Sequence, residues 1–312
     1  MLKDYYLKKL GVDKLPKFII PYLEVPSLGR LKYIGYFCGM DYASKDIYDF
    51  GEYVTRFDHS LSTALLTYRL TEDKIATLAA LFHDVATPCF SHVIDYMNED
   101  YENQESTEEF TDYIIRRDKK LKSLLDKDNI DIEDIINYKN YPIVDNKRPK
   151  LCADRIDGIV LTGSYWTKDI TKTDIDNIID DLTIYTNEEN ELEIGFKSKD
   201  VATRVIEINK TINEYCHSNE DNFMMDLLAK ITKYAILKKV IMLDSLYVLA
   251  EGDIMTLFEY SNDKDLKRMI NTFKTIKKED IPLINIDNVK IRDINPLVDG
   301  KRINIEKKKV LK

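Results

Sequence analysis

Cysteine, histidine and tryptophan are all scarce in this chain of 312 residues. The four cysteines, Cys38, Cys89, Cys152 and Cys216, form no CxxC pair or other tight spacing, so nothing suggests a disulfide framework and reduced thiols fit best. No run approaches the roughly 20 apolar residues needed to span a bilayer. The opening MLKDYYLKKLG lacks the apolar stretch of a signal peptide. A protein of the cytoplasm, with no membrane partner, is expected. No fixed-period repeat is present, which excludes solenoids and propellers. With only 10 glycines and 8 prolines, the chain is neither collagen-like nor low-complexity. Basic residues (46) are outnumbered by acidic ones (55), for a net charge of −9. That balance excludes a bulk-charge binder of nucleic acid or anionic membrane, so any anionic ligand must be held by a local cluster of cations or a metal.

Hydrophobic residues make up 44% of the chain, enough for a sizeable core. Residues 18–58 are aromatic-rich and interrupted by Pro21, Pro26, Gly29 and Gly35, which predicts short elements on a core. The tyrosine and phenylalanine density there (Tyr33, Tyr36, Phe37, Tyr42, Tyr48, Tyr53) reads as a half-buried packing layer rather than a base-stacking surface. From His59 to about residue 250, apolar residues recur at helical spacing, as in Ile75, Leu78, Ala79, Phe82 and in Val201, Val205, Ile208, Ile212. Residues 182–196 alternate around a polar Asn-Glu-Glu-Asn centre and predict a β-hairpin. VKIRDINPLV and KRINIEKKK alternate as strands do. The expected architecture is mostly α, with a helical body over 1–255, a small β-hairpin, and a small α/β C-terminal appendage over 256–312.

Three of the four histidines fall in one segment, RFDHSLSTALLTYRLTEDKIATLAALFHDVATPCFSH. Thr71, followed by Glu72 and Asp73, reads as an N-cap at the joint between two helices. His59 and His83 lie equally far on either side of it. Antiparallel helices of equal arm length return His83 to the level of His59, so the two imidazoles can meet. Asp84 adjoins His83, and Pro88 stops the helix soon after. Two imidazoles and a carboxylate suit a borderline divalent metal. LCADRIDGIV offers a further ligand from Asp154 or Asp157, carboxylates three residues apart on one helical face. Cys89, without a partner histidine or basic cluster in sequence, reads as packing.

RFDHS, FHDVATPCFSH and LCADRIDG stand in the order of the His…His-Asp…Asp signature, and the chain resembles the HD-domain metal-dependent phosphohydrolases from about residue 20 to 165. The resemblance implies an HD-domain helical bundle in which His59, His83, Asp84 and Asp154 hold one divalent ion (Mn, Fe, Co, Ni, Zn or Mg). It is nearest the deoxynucleoside triphosphate triphosphohydrolase-like branch, matched by Arg56 before the first His and by Phe90-Ser91-His92, with a weaker echo in VKIRDINPLV. The chain departs from that branch at Ala86 and Thr87, where the branch's His-Asp-x-Gly-His places another catalytic His. Gln104-Glu105 replaces a His-Glu pair, and Asp157-Gly158 and Leu161-Thr162 replace nucleotide-contact residues.

The expected activity is hydrolysis of a phosphate ester, a nucleotide by resemblance. Proton transfer falls to His92 or Glu105. Arg56 and Arg155 are candidate phosphate clamps, Arg56 also entering the catalytic set, and either can instead be an ion-pair partner. His92 can equally be a cap or a group orienting Asp84. The rival reading is a catalytically silent metal-binding nucleotide sensor or interaction module. A homo-oligomer is left open.

Overall fold

The computed structural model describes residues 1–102, 106–286 and 289–303. It is mostly helical with one small sheet, as the periodicity predicts. The principal helices before the sheet are α1 (Leu2–Lys9), α2 (Arg56–Thr71), α3 (Lys74–Phe82), α4 (Val93–Met97), α5 (Ala153–Tyr165) and α6 (Lys172–Asp181). After the hairpin β1 (Leu182–Thr186) and β2 (Leu192–Phe196) come α7 (Lys199–Cys216), α8 (Asn219–Leu237), α9 (Glu251–Glu259) and α10 (Lys264–Thr275). The described chain closes with β3 (Leu297–Val298) and β4 (Lys301–Arg302).

Residues 18–58 form the short elements their prolines demand, with Pro21 and Pro26 in the first turns of Ile20–Glu24 and Pro26–Arg30. This segment is pinned to the start of α2 by a Gly35–Thr55 bridge and by the Arg56 N–H donating to Ile34 O at 2.9 Å. Helix α2 begins at Arg56 because Thr55 and Asp58 form a reciprocal capping box. It is an interior helix, buried from His59 to Thr67, with α3 and α5 packed against it.

The joint between α2 and α3 differs in detail from the sequence expectation. Thr71 is the last residue of α2, Glu72 adopts the left-handed conformation (φ 54°), and Asp73 caps α3 by accepting from the Ile75 and Ala76 N–H groups. The antiparallel return survives, because a cap two residues later still leaves arms of similar length. Helix α3 ends at Phe82, which places His83 and Asp84 at its C-terminal end.

The hairpin pairs Leu182 with Phe196 through to Thr186 with Leu192. Strand β3 then joins β2 in parallel and β4 closes the order β1-β2-β3-β4. VKIRDINPLV is a strand only at Leu297–Val298. Pro296 has no N–H for a ladder, and upstream groups bond elsewhere: Lys290 N–H to Tyr101 O, Arg292 N–H to Asn213 Oδ1 and Asn295 N–H to Pro149 O. The segment therefore runs across the molecule as a strap. Of KRINIEKKK, Lys301–Arg302 form β4, and residues 304–309 lie outside the described residues.

One buried cluster runs from Tyr6 to Ile294 and includes Phe258, Leu266, Ile270 and Phe273. The sequence boundary between 255 and 256 thus falls inside α9, and helix α10 packs on α8 of the body. No described helix is long and apolar enough to cross a membrane.

Candidate metal centre and anion cleft

Helices α2, α3 and α5 bring four acidic and imidazole side chains to one point. The His59 and His83 rings lie 5.2 Å apart between centroids. Asp154 Oδ1 sits 3.0 Å from His59 Nε2 and 3.6 Å from His83 Nε2. Asp84 lies 3.7 Å from each of the same two nitrogens. His59, His83 and Asp154 offer ligand atoms all within 4.8 Å of one another.

The far sides of both rings are fixed. His59 Nδ1 is 2.6 Å from Asp157 Oδ2, and Asp157, fully buried, also accepts from the Tyr6 hydroxyl at 2.7 Å. His83 Nδ1 is 2.7 Å from Ala80 O. A carboxylate or carbonyl that accepts the Nδ1–H hydrogen bond favours the tautomer whose Nε2 lone pair is free to face the centre. His83 Nε2 is buried without a hydrogen-bond partner. That is the observation a cation would explain. The two carboxylates three residues apart on α5 thus divide: Asp154 faces the centre and Asp157 stands behind His59.

Electrostatics agree with the donor set. Burial opposes charge on every member, yet the Asp154 and Asp157 hydrogen bonds and the Asp84 charge lift His59 to about 10, and Asp84 and Asp154 also raise His83. The surrounding His83, Arg56 and His59 charges hold Asp84 down to about 2, against burial. The His59 hydrogen bond and the nearby His83 imidazole hold Asp154 well below the usual carboxylate range, again against burial. The carboxylates call for positive charge at this point, which protons or a divalent cation can supply.

Arg56 is the ion-pair partner of Asp84 at 2.9 Å, and its Nε–H donates to Ser91 Oγ at 3.1 Å while the guanidinium lies over Tyr36. Arg155 ties down the 146–150 loop by donating to Lys150 O and, at 2.8 Å, to Asn146 O. His92 Nδ1 is 2.9 Å from the buried Asp95, which turns its Nε2 away from that carboxylate. Glu105 lies outside the described residues. Cys89 is buried packing whose thiol is pushed up by burial, and it donates to Leu249 O. All four cysteines are free.

Residues 56–160 match the HD domain family. Over 105 residues, 33% of this chain, the protein is 30% identical to the uncharacterized protein YdhJ of Bacillus subtilis and 30% identical to the metal-dependent phosphohydrolase cns2 of Cordyceps militaris. These matches cover 32% and 30% of the two relatives, so the chain spans about a third of their length. All four converging side chains, and Asp157 behind them, lie within the matched residues.

Two cavities meet at the centre. A cleft of about 640 Å³ is walled largely by charged side chains, and a smaller chamber of about 250 Å³ by aromatic side chains together with aliphatic and charged ones. Arg56, His92, Arg148, Asp154, Arg155 and Arg292 border both. Sequence reading missed Arg148 and Arg292. The strap over residues 289–296 carries Arg292 to the centre, and Arg148 Nη1 donates to Arg292 O at 2.5 Å. Burial, with Arg155 and Arg292 beside it, pulls Arg148 down to about 10. Guanidinium groups gathered along one cavity border offer an anion the local cation cluster that the net acidic charge requires. VKIRDINPLV was the sequence signal for Arg292. Arg148, next to Pro149 in a loop, had none.

Proposed function

We propose that this protein is a metal-dependent phosphohydrolase acting on a small phosphate ester, a nucleotide, with His59, His83, Asp84 and Asp154 holding one divalent ion. The observation that carries this reading is the pair of Nε2 atoms facing Asp154 Oδ1, one of them buried without a hydrogen-bond partner, beside an arginine-walled cleft. When bound, the ion supplies Lewis acidity that neutralises phosphoryl charge and acidifies water. Asp157 and Ala80 O hold the imidazoles in the tautomer that ligates. Arg56 positions Asp84. Arg148, Arg155 and Arg292 attract the phosphoryl group and stabilise charge that grows on it during hydrolysis. His92, its Nδ1–H held by Asp95, exchanges a proton at Nε2 with the ester or the attacking water; Glu105 is the other candidate for this step.

The likeness of Arg56 and Phe90-Ser91-His92 to the triphosphohydrolase-like branch supports a nucleotide as substrate. Ala86 and Thr87, both buried and absent from the walls of either cavity, leave proton transfer to His92 or Glu105. The same absence is the one observation that favours a nucleotide sensor instead. Phosphate release is the test, measured on chelator-stripped protein with nucleoside mono-, di- and triphosphates and simple esters, with Mn²⁺, Mg²⁺, Co²⁺ or Ni²⁺ added back. Release that depends on the added ion supports the hydrolase. Tight, metal-dependent nucleotide binding with no release on any ester would replace it with the sensor.

A further inference from the structure

Beyond its border with the metal-binding and arginine side chains, the smaller chamber has walls that the phosphoryl chemistry does not use. Its walls include the stacked pair Phe37 and Phe50, 4.1 Å apart and 5° from parallel, and Tyr48 and Trp166 at 6.2 Å. Such flat, mutually packed faces accept a planar ring at little conformational cost. Among them stands a carboxylate, Asp221. It occupies the first turn of α8, where an acidic side chain usually serves the helix N-terminus. Here the N-cap Ser218 accepts from the Asp221 N–H, while Asp221 Oδ1 accepts the Tyr48 hydroxyl at 2.7 Å. A carboxylate set in an aromatic wall loses hydration and gains most from further hydrogen-bond donors. Burial pushes its pKa up to about 7 even though Tyr48, Arg292 and His217 favour its charge.

The chamber opens on the same arginines that border the cleft. An ester whose phosphoryl group lies among Arg148, Arg155 and Arg292 can direct its organic half into the charged cleft or into the aromatic chamber. An aromatic ring is accommodated by the second.

We propose that the chamber binds the organic half of the substrate and that Asp221 selects a planar ring bearing an amino group, an aminated nucleobase. This rests on the phosphohydrolase reading for the identity of the ligand's other half. The ring lies between the aromatic walls, and its amino N–H donates to the Asp221 carboxylate.

Binding is measured by calorimetry with matched nucleoside 5′-monophosphates that differ by one exocyclic amino group: adenosine against purine riboside, guanosine against inosine, and cytidine against its 4-desamino counterpart. The amino member of at least one pair should bind about 10- to 100-fold more tightly, the span typical of a hydrogen bond to a charged group. Asp221→Ala, which removes the acceptor altogether, should bring that ratio close to one. Equal affinity within every pair overturns the proposal, as does a preference that survives in Asp221→Ala. If that variant does not fold, the wild-type comparison alone decides, since it needs no substitution. Phosphate release is recorded on the same samples and on glycerol phosphate, which has no ring. An amino preference without release on any ester retains the chamber and rejects the hydrolase; release without an amino preference does the reverse.

Discussion

His59 is held from both sides: Asp157 at Nδ1 and Asp154 at Nε2. Only one of these bonds gives way when an ion binds at Nε2, so Asp157 determines how well the ring is aimed. Asp157→Ala should lower metal affinity by about 10- to 100-fold, the usual cost of losing a partner behind a metal-binding histidine; titration with Mn²⁺ checks this, and an unchanged affinity contradicts it. Glu251 makes a separate statement about pH. It is fully buried, accepts from the Phe90 N–H at 2.8 Å, and is pushed up to about 8 by burial and by Asp41, against the Phe90 and Gly35 backbone hydrogen bonds and the Arg56 charge. A carboxyl with a raised folded-state pKa favours folding while protonated. Its contribution is complete below about pH 4.5 and is lost as pH rises through about 8. Glu251→Gln, which keeps an acceptor for Phe90, should match wild type at low pH and exceed it above pH 8 by on the order of a few kcal/mol in denaturant unfolding. Parallel pH profiles would rule this out. At this scale the sequence was readable where chemistry is local: His59, His83 and Asp84 sit in one segment, and LCADRIDG carries its own motif. Arg148 and Arg292 meet only through the fold, and no local spacing announces a contact made over such a separation.

Helices α2 and α3 show what periodicity and capping can and cannot predict. Arms of similar length about the joint bring the imidazoles together because rise per residue is the same in both helices. The cap itself was misplaced, since Thr71 continues α2 and donates to Thr67 O, leaving Asp73 to accept from the Ile75 and Ala76 N–H groups. Thr and Asp are both good caps, and composition does not choose between them. At the other end of α2, Thr55→Ala removes one half of a capping box that also fixes where Arg56 and His59 begin. It should destabilise the fold by about 1 kcal/mol in urea unfolding; a loss well under that range means the Ile34–Arg56 bridge carries the start of the helix. The strap over 289–296 is where alternation misled. Its period of two reads as a strand, but the partners of its backbone are Tyr101, Pro149 and Asn213, not a ladder. The 182–196 hairpin was readable because both of its strands are adjacent in sequence and pair with each other.

Across the whole molecule, an acidic chain has concentrated guanidinium groups around two imidazoles and two carboxylates. The body folds around this centre: α2 and α3 supply the histidines, α5 the Asp154–Asp157 pair, and the C-terminal strap Arg292. An ion that binds only the folded state raises stability by mass action, about 2.7 kcal/mol at one hundred times its dissociation constant. Mn²⁺ should therefore raise the melting temperature of chelator-stripped protein, and Asp84→Ala should remove most of that rise. The central claim is tested most directly by measuring metal content and phosphate release on one preparation of wild type and of His83→Ala. The account predicts one divalent ion per wild-type chain, release that disappears with chelator and returns with metal, and neither ion nor release in the variant. Stoichiometric metal retained by His83→Ala, or metal-replete wild type that releases phosphate from no ester, would contradict it.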